Sequence, residues 1–258
     1  VQVFSNANEV VLLHNGTKLA KGKIMNGFAT FKVPFKQGSN QLLAKASIDN
    51  IEISDQANID FTIIPFNLKD ESTPFQELNI SLGDKRFYTD YVQHENWLPA
   101  REYSPGSWGY IGGAVYKMES TKRQSYGSNV NILNTDLDAI YATQLEGIEE
   151  FRFDVPDGMY TLTLHFSELR SDIEREALAY NLDDETIENK SSGERIFSVS
   201  VNSMEVLSEL SNKGQLVPEK AISFKTAVEA RNTKGISIRF TDIKGEAILN
   251  GIQLHKIR

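Results

Sequence analysis

The run Gly158-Met159-Tyr160-Thr161-Leu162-Thr163-Leu164-His165-Phe166-Ser167-Glu168 decides the fold. Tyr160, Leu162, Leu164 and Phe166 recur at every second position, with Thr161, Thr163 and His165 between them. A period of two belongs to a β-strand, whose successive side chains point to opposite faces. Upstream, Phe151-Arg152-Phe153-Asp154-Val155 alternates in the same way, and Pro156-Asp157-Gly158 supplies the turn that joins the two runs. Further strands are predicted over 196–201, 236–240 and 248–257. Residues 171–192 interrupt this pattern with an acidic stretch (Ser171-Asp172-Ile173-Glu174-Arg175-Glu176) that reads as a short helix or a mobile surface loop.

Toward the N-terminus the runs become shorter and the turn signals denser. Val10-Val11-Leu12-Leu13 is followed by Asn15-Gly16, then by the run from Phe28 to Val33, by Gln37-Gly38-Ser39-Asn40 and by the run from Leu42 to Ala46. Asn-Gly between apolar runs predicts a two-residue type I′ hairpin, because both central positions need positive φ. Several such strands in residues 1–65 predict a small β-sandwich. Residues 66–77 (Phe66-Asn67-Leu68-Lys69-Asp70-Glu71-Ser72-Thr73-Pro74 and onward) lack periodicity and read as a linker. A larger all-β unit is predicted over 78–258.

The chain has 258 residues, no cysteine, 27 basic and 35 acidic residues, and a net charge of −8. Six lysines against five acids in residues 1–65 leave −9 on the remainder. This balance argues against a nucleic-acid partner, which needs a basic face, and is compatible with a neutral glycan. Without cysteine there is neither disulfide nor thiolate metal site, and the four histidines have no metal-ligand spacing. No cofactor is expected. No apolar run approaches the roughly 18 residues of a membrane span. Val1 opens inside a strand-like run, which reads as a segment of a longer polypeptide with any export signal upstream. No Gly-x-Ser-x-Gly, phosphate loop or His-Glu-x-x-His occurs, and no carboxylate pair has a motif context, so no catalytic residue is assigned.

One segment is rich in the residue types that bind sugar. Between Glu95 and Tyr116 lie Trp97, Tyr103, Trp108, Tyr110 and Tyr116, with Arg101 and Glu102 among them and His94 just before. A sugar ring offers an apolar C–H face to an aromatic plane and hydroxyls to carboxylates, amides and guanidinium groups. Trp108 and Tyr110 read either as stacking residues or as lining of the sandwich end, and Trp97 either as a contact or as packing at the base of the loop.

Two resemblances sharpen this. Val3-Phe4-Ser5-Asn6-Ala7-Asn8-Glu9-Val10 with Leu12-Leu13-His14-Asn15-Gly16-Thr17-Lys18-Leu19 resembles a C-terminal Ig-like domain of family 2 glycoside hydrolases. Asn79-Ile80, Trp97-Leu98-Pro99, Trp108-Gly109-Tyr110-Ile111-Gly112-Gly113, Ile140-Tyr141-Ala142-Thr143, Phe153-Asp154-Val155-Pro156-Asp157-Gly158, Leu164-His165-Phe166-Ser167-Glu168, Phe197-Ser198-Val199 and Ile248-Leu249-Asn250-Gly251-Ile252 are similar to bacterial malectin-like domains. Together they imply an all-β chain of two β-sandwiches, a small Ig-like one and a larger malectin-like one of jelly-roll or galactose-binding type. They imply the accessory region of an exported, periplasmic or cell-surface bacterial glycosidase of β-galactosidase type, with an oligo- or polysaccharide and the upstream catalytic domain as partners. The region either binds carbohydrate and positions the enzyme on its glycan, or packs on the catalytic domain as a structural module.

The malectin resemblance also implies site positions. One sugar-binding tyrosine aligns with Trp108 or Tyr110. A second falls on Glu146, a Tyr-Phe pair falls on Arg170 and Ser171, and an Asp falls near Lys244 or Asp242. The carbohydrate contacts expected are therefore Trp108, Tyr110, Trp97, Arg101, Glu102, Glu146 and Asp242.

Overall fold

The structure, a computed structural model, describes residues 1–118, 125–128, 131–170 and 193–257. The acidic stretch 171–192 lies outside them. The chain divides into two compact units, Val1–Ile64 and Pro65–Arg258.

In the first unit a four-stranded sheet runs in the order Thr17–Lys23, Glu9–His14, Gly38–Ile48, Ile51–Phe61, and a two-stranded sheet pairs Gln2–Phe4 with Phe28–Thr30. Between them lie Val10, Leu12, Ala29, Phe31 and Leu42. The Asn15-Gly16 hairpin forms as the sequence predicts: φ is 50° and 77° at the two positions, and His14 faces Thr17. Asn26-Gly27 and Asp49-Asn50 repeat the device, each pair at positive φ between facing strand residues. The outer strand Ile51–Phe61 is exposed along ten of its eleven residues.

The second unit is built on two larger sheets. One has five strands in the order Trp108–Ile111, Glu150–Phe153, Ile236–Lys244, Ile196–Val201, Met204–Ser211. The other has six, in the order Ile222–Ala230, Gly158–Phe166, Gly251–Lys256, Glu77–Ser81, Glu95–Pro99, Tyr88–Asp90. A small sheet joins Ala114–Val115, Leu145–Glu146 and Ile248–Leu249. The alternation read in Tyr160–Phe166 is realised: Tyr160, Leu162, Leu164 and Phe166 are fully buried, and Phe166 meets Phe197 of the five-stranded sheet at 6.0 Å between ring centroids.

Pro156-Asp157-Gly158 joins the two strands as read, and these lie in different sheets, Glu150–Phe153 in the five-stranded one and Gly158–Phe166 in the six-stranded one. The turn is thus a corner between sheets. Residues 66–77, read as a linker, cluster with the second unit, which buries Leu68 and Phe75. Two isolated apolar residues in a polar stretch give no period, yet they anchor it. Met204–Ser211 and Ile222–Ala230 are strands that their mixed, half-exposed composition conceals. The one helical segment among the described residues is Asp138–Tyr141, and none there is long and apolar enough to cross a membrane.

On the outer face of strand Gly158–Phe166 the C-terminal half, Thr163 and His165, is buried as well. His165 Nδ1 accepts from the Tyr141 hydroxyl at 2.7 Å, and His165 Nε2 lies 3.0 Å from Gln253 Oε1. The Gln253 amide nitrogen donates to Asn79 Oδ1 (3.0 Å) and Glu95 Oε2 (3.1 Å), so its oxygen is the acceptor and His165 is the neutral Nε2–H tautomer. Gly251, opposite His165, leaves room for the Trp97 ring: a Cβ there would come 2.7 Å from Ile140 and 3.3 Å from Trp97.

Burial lowers the His165 pKa from 6.5 to about 4, against the opposing hydrogen bond to Gln253. The unfolded chain takes up a proton at this side chain near pH 6.5 and the folded one does not, so stability present above pH 6.5 is lost as pH falls toward 4. The interval is worth on the order of 3 kcal/mol. The melting temperature should fall between pH 7 and 5 in the wild type, and the slope should flatten in His165→Gln, measured by differential scanning calorimetry.

Candidate functional site

Both tryptophans singled out by the sequence are core residues. Trp97, on strand Glu95–Pro99, is 0% exposed and packs edge-on against His165 at 5.5 Å. Trp108 is 4% exposed, stacks on Phe151 at 6.5 Å, and is covered by the Arg101 guanidinium 4.3 Å from its ring. Neither presents an open face to a ligand: of the two alternatives read for each, Trp97 packs and Trp108 lines the sandwich, and the expected carbohydrate contact at both is corrected. The cause is strand register: Trp108 and Tyr110 face Phe153 and Phe151, on the side of the sheet that forms the core. Tyr110 is half-buried. Arg101 also lies over Phe66 and donates to Ser107 Oγ, so its charge is spent on packing. Glu102 is exposed and bridges to Tyr110 through the backbone, where Gly109 permits close approach of residues 101–103. Asp242 caps a turn, accepting from the Ala247 N–H at 2.7 Å.

Glu146 has the most consequential surroundings. It sits on strand Leu145–Glu146, 8% exposed, and accepts a bidentate pair from Arg170 (Nε to Oε1 2.9 Å, Nη2 to Oε2 2.7 Å). Arg195 Nη2 reaches Glu146 Oε1 at 3.1 Å, and Gln144 Nε2 donates to the same oxygen at 3.0 Å. Arg195 Nε then pairs with Glu168 Oε2 at 2.7 Å, and its Nη1 donates to the Glu246 carbonyl. Glu168 is 0% exposed, and its other oxygen accepts the Arg170 N–H at 2.9 Å.

Two carboxylates thus meet two guanidinium groups, and the cluster is neutral. Burial raises the Glu146 pKa, but the hydrogen bonds and charges of Arg170 and Arg195 outweigh it and hold the group below the usual carboxylate range. Arg170 is held above its ordinary value, first by its hydrogen bond to Glu146.

This cluster occupies the positions where the malectin resemblance places aromatics. Glu146 stands for one tyrosine and Arg170 for part of a Tyr-Phe pair, and the structure brings them into one ion pair. Ser171 lies outside the described residues. The guanidinium of Arg170 is the outward-facing member, 35% exposed and 5.4 Å from the Tyr116 ring centroid. A fixed cation with spare donors beside an aromatic ring can engage sugar hydroxyls or a carboxylate. Arg195 and Gln144 were not anticipated. A charged residue directly adjoining an apolar strand, as Arg195 adjoins Ile196 and Glu168 follows Phe166-Ser167, signals a buried partner.

The malectin domain profile matches residues 79–252. Two solved structures from Bacteroides uniformis align over 100% of the chain with a TM-score of 0.68: β-glucuronidase 2 covalently bound to cyclophellitol-6-carboxylate aziridine, 29% identical, and β-glucuronidase, 30% identical. The chain spans 27% of the length of each. No curated protein sequence matches it.

Two substitutions test the geometry. Trp108→Ala should cost about 3–5 kcal/mol, the range for emptying a large aromatic site in a core, read from urea unfolding. Glu168→Ala should also cost about 3–5 kcal/mol, because it leaves two guanidinium groups on the single carboxylate of Glu146, whereas Arg170→Ala at the half-exposed rim, with Arg195 still facing Glu146, should cost about 1 kcal/mol.

Proposed function

The chain belongs to the malectin domain family, and we propose that it is the non-catalytic accessory region of a larger bacterial glycoside hydrolase and binds carbohydrate at its Arg170 end. The observation that carries this reading is the alignment of the whole chain, both units together, with about a quarter of a β-glucuronidase. That neighbour also favours a glucuronidase-type parent over the β-galactosidase expected from the sequence. Within the proposal the first unit is an Ig-like domain, and the chain works outside the cytoplasm, in the periplasm or at the cell surface, where polysaccharide is met. Binding there raises the effective concentration of glycan around the catalytic domain and so positions the enzyme.

The loop end suits a sugar with hydroxyl groups. Its four charges cancel internally, so Arg170 offers directed N–H donors without a strong field, and Tyr116, whose ring lies under that guanidinium, helps to hold it in place. The contact proposed is Arg170, with Tyr116 and Glu146 as the residues that position it. Glu102 and Tyr110 stay as peripheral candidates, since Glu102 is exposed and Tyr110 half-buried.

A second reading has its own support. Both tryptophans are internal and the aromatic positions implied by the family carry an ion pair, which fits a structural module that packs on the catalytic domain. Glycan-array screening of the chain, followed by calorimetric titration of the best hit, separates the two. The binding reading expects an affinity that falls about tenfold in Arg170→Ala and Tyr116→Ala with the melting temperature nearly unchanged. Absence of any glycan binding by a folded chain leaves the structural-module reading. In either case the chain should not hydrolyse chromogenic glucuronides or galactosides above background.

A further inference from the structure

A second polar feature lies on the outward face of the five-stranded sheet, away from Glu146 and Arg170. It is an open groove of about 990 Å³. Its floor is set by strand alternation: Phe151, Phe153, Ile236 and Ile238 point into the core, so Glu150, Arg152, Ser237 and Arg239 point out. Glu150 is fixed by the Ser237 hydroxyl at 2.7 Å and lies between two guanidinium groups, Arg152 at 3.6 Å and Arg239 at 3.8 Å. Two cations therefore share one carboxylate, and most of their N–H donors remain open.

The rest of the lining does not restore neutrality. Lys69 donates to the Thr233 carbonyl at 2.8 Å, an uncharged partner. Arg231 pairs with Glu229. Asp154 is occupied by the Tyr103 hydroxyl (2.7 Å) and the Gly106 N–H (2.6 Å). Lys234 is exposed. Five cations face three carboxylates along the groove, a surplus of two positive charges in a stretch of chain that carries −9.

The groove's aromatic content decides which ligand it suits. Tyr103 is the one aromatic residue in the lining, and the Arg152 guanidinium lies over its ring at 4.9 Å. That ring is already engaged by a cation, so what the groove chiefly offers a ligand is charge rather than stacking surface. We infer that this groove is a second glycan-binding site, distinct from the loop end, and that it takes an extended acidic saccharide whose uronate carboxylates sit on Arg152, Arg239 and Lys234. Arg152, held over the Tyr103 ring, is the more fixed of the two arginines, and each guanidinium can make bidentate contact with a carboxylate.

The test is calorimetric titration of the chain with hexagalacturonate and with the same oligosaccharide after reduction of its carboxyl groups. The acidic form should bind at least tenfold more tightly, and binding should weaken on going from 50 mM to 500 mM NaCl, about as expected for screened charges. Arg239→Glu combined with Lys234→Glu should abolish that preference at an unchanged melting temperature, since both side chains are exposed. Arg170→Ala should leave it intact, so that failure here and failure of the loop-end reading are distinguishable. Equal binding of acidic and reduced forms, no binding of either, affinity retained in the charge-reversed variant, or equal binding of single-stranded DNA would each overturn the inference, the last by showing only a non-selective polyanion field.

Discussion

Arg195 is the residue on which the Glu146–Arg170 end of this molecule depends. A buried guanidinium is stable only with carboxylates or carbonyls around it, since removing it from water costs several kcal/mol. Here Glu168 arrives from the end of the six-stranded sheet, Arg195 itself precedes a strand of the five-stranded sheet, and Glu146 lies in the small sheet between. The Glu246 carbonyl closes the remaining side. One cation therefore fixes where three sheets meet. Arg170 is oriented by the same carboxylates, so the outward guanidinium inherits its position from the interior.

Much of the architecture was readable in the sequence, because a period of two and an Asn-Gly dipeptide have direct physical meaning. Tyr160–Phe166 and the Asn15-Gly16 hairpin are the clearest cases. What sequence pattern cannot supply is the face on which an aromatic residue ends. Trp97 and Trp108 sit in a segment with loop glycines and charges, the composition of a binding loop, yet register turns both rings inward. Conversely, Glu146 and Arg170 look like two unrelated losses when aligned one at a time. Their meaning lies in a contact between residues 24 positions apart. Leu68 and Phe75 show the same limit on a smaller scale: two apolar side chains without a period anchor a stretch that reads as a linker.

The two polar regions of the larger unit divide electrostatic labour. At the loop end, charges are buried and balanced, which gives geometry without a long-range field. In the groove, they are exposed and unbalanced, which gives a local positive potential within an acidic protein. A low-charge glycan would feel the first only on contact. An acidic one would be attracted to the second over a Debye length of about 8 Å at physiological ionic strength.

The outer strand Ile51–Phe61 of the first unit has a consequence for handling the protein. Ten of its eleven residues are exposed, Ile51, Ile53 and Ile59 among them. Such an edge is a template for another strand, and Asp55 and Asp60 along it are charged residues of the kind that discourages such pairing. Their repulsion is a colloidal force, and at 1 M salt it reaches only about 3 Å. Salting-out fractionation and high-salt crystallisation are thus the conditions under which this repulsion is most screened.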